Sequence, residues 1–282
     1  RKSVRDGRYR SYPYGIEEKI NMNDFPDLIN EALKRVHPGW QPVLAEGLTA
    51  MSRQSPDYLH ELCRDEFLPT QGRLFAAFSQ PMDAVRYVLI GEGPYPREDS
   101  ASGYCFMDAA VRDIWSDSGL SKQVNRATSL RNFVKMLLVA DGTISPDQTG
   151  SDTMKEISAI ARQEASPFIR TLPEMQETMI DNGFLLLNAA LVFRPHVAVA
   201  KETKAWQPFM LTVLQALAKN RADRSELPVL ILWGKMAEKL IAMPFASSYR
   251  CVVSEHPYNL SFIRNTDMQT LFKPMRLLYK KR

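Results

Sequence analysis

The chain has 282 residues, 45% of them hydrophobic, which is enough for a sizeable core and suits one large α/β domain better than two. A formal net charge of +4 permits a nucleic-acid partner without requiring one, and the absence of any uncharged 18-residue run excludes an apolar membrane-spanning helix. Cys63, Cys105 and Cys251 are odd in number, widely spaced and set in apolar surroundings, so no disulfide framework is implied and reduced thiols in a cytosolic or nuclear protein are expected.

Residues 1–36 read as a basic, Tyr-containing arm followed by a short helix. Arg1, Lys2, Arg5, Arg8 and Arg10 open it, no secretory apolar run is present, and Phe25, Leu28, Ile29 and Leu33 carry the helical spacing. The first dozen residues are expected to be loosely held. Residues 37–282 form the main domain. Up to Leu68-Pro69 helical spacing dominates, through Val43, Leu44, Leu48, Leu59, Leu62 and Cys63.

Four apolar runs follow: Tyr87 to Ile90, Phe184 to Leu187, Val229 to Trp233, and Cys251 to Val253. Helical patterns separate them, among them Leu172 to Ile180 and Phe209 to Leu217, while the segment 141–153, rich in Gly, Ser, Thr and Asp, reads as a surface loop. Strand and helix in alternation predict an α/β three-layer sandwich, a central four-stranded parallel sheet with helices on both faces. In such a sheet the C-terminal strand ends share one edge. The residues just past each run must meet there: Glu92 and Tyr95, Asn188, Gly234 and Lys235, and Glu255 with His256. A carboxylate, a phenol, a carboxamide and an imidazole thus converge.

Other motifs fail on their spacing. Gly91-x-Gly93 after a strand hints at a dinucleotide loop, but the third glycine position is Pro96. His60-x-x-Cys63 has ligand spacing with no second pair, so no metal site is assigned, and no nucleophile elbow is present. Taken singly, His256 suits a structural histidine, Asn188 a turn cap, Glu92 a solvated loop carboxylate, and Phe106, Trp206 and Trp233 plain core.

Position by position, Gly91-Glu92-Gly93-Pro94-Tyr95-Pro96, with Ala101, Gly103, Cys105 and Phe106 downstream, resembles the Gly-Gln-Asp-Pro-Tyr-His loop of the uracil-DNA glycosylase superfamily. Ser129-Leu130 is similar to that family's Pro-Ser-Leu turn, and Leu185-Leu186-Leu187-Asn188-Ala189-Ala190-Leu191 to its Asn-bearing strand. Trp206 and Phe209 fit its Gly-Trp-x-x-Phe helix with Ala205 in place of Gly. Leu230-Ile231-Leu232-Trp233-Gly234 fits its third strand, and His256-Pro257-Tyr258-Asn259-Leu260-Ser261 its His-Pro-Ser-Pro-Leu-Ser loop. The matches occur in the family's order from about His37 onward.

The resemblance implies a monofunctional, cofactor-free DNA glycosylase, cytoplasmic and monomeric, whose partner is DNA, with neither metal nor membrane involved. It implies that Asn188 reads the edge of a flipped-out pyrimidine, Phe106 stacks on it, and Tyr95 walls off its 5-position. His256 would donate to the base oxygen as negative charge leaves with the base. Leu260 would fill the vacated stack; Ser129 and Ser261 would grip phosphates, with Pro96 and Tyr258 also at the DNA.

The first loop departs from the family. Gly93 occupies the position of the water-orienting Asp, so Glu92, matching a Glu in the thermostable bacterial branch, is the first substitute and Asp99 the second. Pro96, Tyr258 and Asn259 also differ. Changed loops around retained base-handling residues suggest a pyrimidine other than plain uracil, such as a 5-substituted cytosine of phage DNA. The alternative is a relative that binds DNA or modified bases with little or no catalysis, and a nucleotide-binding module ranks third.

Overall fold

Four short parallel strands form the centre of the computed structural model, which describes residues 25–220 and 226–281. They are β1 (Tyr87–Gly91), β4 (Phe184–Asn188), β5 (Val229–Trp233) and β6 (Cys251–Ser254), in the order β4-β1-β5-β6. Tyr87 to Gly91 pair with Phe184 to Asn188 on one side, and Tyr87 to Ile90 with Val229 to Leu232 on the other. A small antiparallel hairpin, β2 (Trp115–Ser116) and β3 (Gly119–Leu120), lies outside this sheet. Nothing in the periodicity of the sequence announces it, because two-residue strands are too short to show alternation.

Both sheet faces are covered, which is why the strands are apolar throughout rather than alternating with polar residues. Val88, Ile90, Leu185, Leu187, Leu230 and Leu232 point into one core. That core is closed by α1 (Asp27–Leu33), α2 (Gln41–Gln54), α3 (Tyr58–Cys63), α8 (Val199–Asn220) and α9 (Lys235–Ile241). Leu89, Phe184, Leu186, Ile231 and Trp233 point into the other. There α4 (Lys122–Arg126), α5 (Thr128–Ala140), α6 (Ser151–Ala161), α7 (Leu172–Asp181) and α10 (Thr266–Phe272) supply the cover. Each fully buried Leu, Ile or Phe stabilises the fold by roughly 1.5–3 kcal/mol relative to exposure. Among the described residues no helix is long and apolar enough to cross a membrane.

The segment 141–153 is not loop to its end: α6 begins at Ser151 and buries Met154, Ile157, Ser158 and Ala161. Its polar first turn hides the start, since only later residues face the core. The helix seen from Phe209 to Leu217 extends back to Val199 and carries Trp206 on the same buried stripe. α7 opens with a reciprocal capping box, Thr171 accepting from the Glu174 amide while the Glu174 carboxylate accepts from the Thr171 amide. The basic residues 1–10 and Arg282 lie outside the described residues.

Candidate functional site

A cleft of about 1120 Å³ opens at the C-terminal edge of the sheet, and residues following all four strands line it. Glu92, Gly93 and Tyr95 come from β1, Asn188 from β4, Gly234 and Lys235 from β5, and Glu255, His256 and Tyr258 from β6; Phe106 and Ser129 complete its wall. The register explains the meeting, since Gly91 pairs with Asn188 at the shared edge. The pairing continues past the sheet, with Ala189 N–H donating to Gly91 O and Ala190 N–H to Glu92 O.

Asn188 is 3% exposed, and among the described residues no group hydrogen-bonds its carboxamide. Gly91 makes room for it: a Cβ at 91 would sit 2.9 Å from Asn188 Oδ1 and 3.0 Å from Cys105 Cβ. Gly93 is under no such constraint, because a Cβ there meets only Ala190 at 3.7 Å or more.

Phe106 holds a left-handed backbone (φ 65°), uncommon for a bulky residue. Its ring is held edge-on by Phe133 and Trp233, with centroids 5.2 and 5.1 Å away. Tyr95 stands beside it, the hydroxyl 3.5 Å from Phe106 O. Burial, reinforced by Asp108, pushes the Tyr95 phenol well above its usual range, so the hydroxyl keeps its proton. Trp233 belongs to the core at 5% exposure and also forms part of the cleft wall.

His256 sits at the rim. Its Nδ1 accepts the Tyr258 N–H at 3.1 Å, which leaves the proton of the neutral ring on Nε2. Partial burial lowers its pKa from the usual 6.5, and the nearby negative charge of Glu92 opposes that shift. Gly234 adopts φ 57° against this histidine, where a Cβ would come within 3.0 Å of His256 Cβ.

Other expected residues lie at the margins. Asp99 is exposed on the turn from Arg97 to Ala101 and does not line the cleft; Pro96 is exposed nearby. Leu260 is 69% and Tyr258 66% exposed, two large apolar side chains on one loop. Burial would raise the Glu255 pKa, but hydrogen bonding, including that donated by Asn265, outweighs it and holds the carboxyl below the usual carboxylate range. Among the described residues no cluster of three metal-ligating side chains occurs.

Two features of the cleft escape a reading by strand ends. It runs on along α9 past Lys235 to Lys239 and Ile241, so it is longer than the strand edge alone. Asn132 of α5, fully buried, donates to the main chain of the 257–259 loop. A lone carboxamide inside the apolar pattern Leu130, Phe133, Val134, Leu137 is the signal that marks it.

Comparison with known proteins gives a consistent set of relatives. The chain is 36% identical to the crystal structure of the wild-type UNG from Nitratifractor salsuginis, with a TM-score of 0.80 over 90% of this chain and 97% of that one. It is 27% identical to the uracil-DNA glycosylase of Corynebacterium glutamicum over 241 residues, 81% of this chain and 82% of that protein. It is 28% identical to the uracil-DNA glycosylase of Nocardioides sp. over 247 residues, 86% and 87% of the two chains. No family model matches.

Proposed function

The chain belongs to the uracil-DNA glycosylase superfamily, and from that premise we propose that it hydrolyses the N-glycosidic bond of a pyrimidine, uracil first, flipped out of DNA. The product is an abasic site and a free base. The observation that carries this reading is the Asn188 carboxamide, buried, lining the cleft and hydrogen-bonded to no described residue. A carboxamide has both donors and an acceptor, and with none of them engaged by a described residue it is free to bond a ligand edge that offers a donor and an acceptor together. A pyrimidine edge does so.

The chemistry follows from charge. As the bond between the sugar C1′ and the base nitrogen breaks, its electrons leave with the base and positive charge grows on the sugar. The Nε2–H of neutral His256 donates to the base oxygen where negative charge accumulates. A water oxygen then bonds to C1′, and its proton passes to solvent or to a carboxylate. Glu92 takes that part in this reading, because it lines the cleft and its charge is felt by His256, whereas Asp99 does neither. Phe106 stacks on the base, and Tyr95 stands beside it against the 5-position. Leu260 enters the stack, with Tyr258 beside it. Ser129 and Ser261 each hold a phosphate; Pro96 borders the strand. The reaction calls for no metal or cofactor, and one copy of the chain supplies every residue named.

A second reading keeps the reaction and enlarges the base to a 5-substituted cytosine. Gly93 favours it, because the position lacks a side chain and even a Cβ there would make only ordinary contact with Ala190. Tyr95, still beside Phe106, opposes it. Alkali treatment of duplexes carrying uracil or a modified cytosine, after incubation with the protein, tests both. Strand breaks at uracil support the first reading and breaks only at the modified base the second. Tight DNA binding with no breaks on any substrate would leave a binding protein without catalysis.

A further inference from the structure

The loop that carries His256 and Leu260 cannot satisfy its own main chain. Asn259 N–H donates to His256 O at 2.9 Å, closing a four-residue turn, and Tyr258 N–H is committed to His256 Nδ1. Pro257 O and Tyr258 O, at the middle of the turn, are turned away from these bonds. Both meet the same side chain: Asn132 Nδ2 lies 2.8 Å from Pro257 O and 3.2 Å from Tyr258 O, with Asn259 O at 3.5 Å. A carboxamide has two N–H donors, and the two shorter contacts use both.

Asn132 is fully buried between Leu130, Phe133 and Val134 on α5. Its Oδ1 has no partner among the described residues, so the amide brings an uncompensated acceptor into the core. Helix packing alone would be served better by an apolar residue of the same size. The gain must come from the donors, and the donors go only to the loop. Ser129 stands three residues earlier, one turn along the same helix, at the cleft wall.

We propose that Asn132 is a positioning residue for base excision, an inference that rests on the reading above. It fixes the backbone between His256 and Leu260 before DNA arrives. The imidazole thereby keeps its Nε2–H available to the cleft, Leu260 is already projected, and both are held in register with Ser129 through one rigid helix.

The test pairs Asn132→Leu, which keeps the branched side-chain skeleton and removes the donors, with His256→Ala on single-stranded uracil-containing DNA, where no base pair has to be opened. Asn132→Leu alone should lower kcat by about 30- to 100-fold with KM within about threefold, because positioning acts on the transition state. In the His256→Ala background the same change should cost less than about threefold, since the group it positions is gone. The same loss in both backgrounds, or no loss in either, overturns the proposal. Hydrogen exchange on the unmodified protein, without DNA, keeps the preorganised loop open to refutation even if the variant does not fold. The Tyr258 and Asn259 amides should exchange at least about 100-fold more slowly than an open chain, and exchange at the open-chain rate overturns preorganisation. Because exchange needs no substrate, it also separates this proposal from the excision reading, which fails on its own if the unmodified protein releases no base.

Discussion

His256 and Tyr258 are joined by a bond that decides which nitrogen of the imidazole faces the cleft: the Tyr258 amide occupies Nδ1 at 3.1 Å, and the ring proton of the neutral form is therefore on Nε2. Protonating Nδ1 would set two donors against each other and break this bond. Replacing His256 by Ala should lower turnover by about two to three orders of magnitude and change DNA affinity little, because the donor acts on charge that exists only in the transition state. Single-turnover rates beside equilibrium binding check this. Near-normal turnover would remove His256 from the mechanism.

The same residue sets an acid limit. Its pKa is lowered from 6.5 by burial, so the active neutral form persists below pH 6.5 and is lost only as the pH falls through the lowered value. For stability the sign is the same: in the window just below pH 6.5 the unfolded chain binds the proton more readily, so this group disfavours folding as the pH drops. Glu92 raises the His256 pKa, so Glu92→Gln should move the acid limb of the rate profile to still lower pH. A limb moved toward neutral pH would show that the two groups do not interact in this way.

Glu92→Gln should also reduce single-turnover cleavage by at least about tenfold, while Asp99→Asn leaves it nearly unchanged, since only Glu92 lines the cleft. The reverse order would transfer water activation to Asp99.

The two glycines of the first loop should respond in opposite ways. Gly91→Ala drives a methyl to within 2.9 Å of Asn188 Oδ1 and should abolish base release while the sheet still forms. Gly93→Asp has space for its Cβ, so the protein should fold normally, and a carboxylate at the family position should raise uracil excision. Circular dichroism with excision assays separates folding from activity. Loss of structure in Gly93→Asp would contradict the geometry.

Leu260 is 69% exposed, so Leu260→Ala should leave the melting temperature within a few degrees. Its cost should appear on a matched duplex and shrink on a duplex whose target pair is already unstable, because less unstacking then has to be supported. Equal losses on both substrates would end its assignment as the wedge.

Much of this arrangement is legible in the chain because parallel strands leave an unmistakable trace. Runs such as Leu185 to Leu187, apolar on both faces, end abruptly in polar residues, and the common edge then follows from topology. Asn188, Glu92, Tyr95 and His256 are brought together there. What a linear reading cannot supply is contact between distant segments. Asn132 lies 125 residues from Pro257, the carbonyl it bonds, and looks like an oddity in an apolar helix until the turn is folded against it. The hairpin Trp115–Leu120 is similarly silent, its strands too short to carry a period. Asp99 and Glu92 are equally acidic in sequence, and only the path of the Arg97–Ala101 turn sets one outside the cleft.

The proposed excision turns on the Asn188 carboxamide, which would read the edge of a pyrimidine that the protein then releases from DNA. Mass spectrometry of the bases freed from uracil-containing DNA and from naturally modified phage DNA, with the unmodified protein and Asn188→Ala side by side, tests it most directly. The unmodified protein should release free uracil with a matching number of abasic sites, and Asn188→Ala should lose at least about 100-fold. No free pyrimidine from either DNA, or equal release by the two proteins, would contradict it.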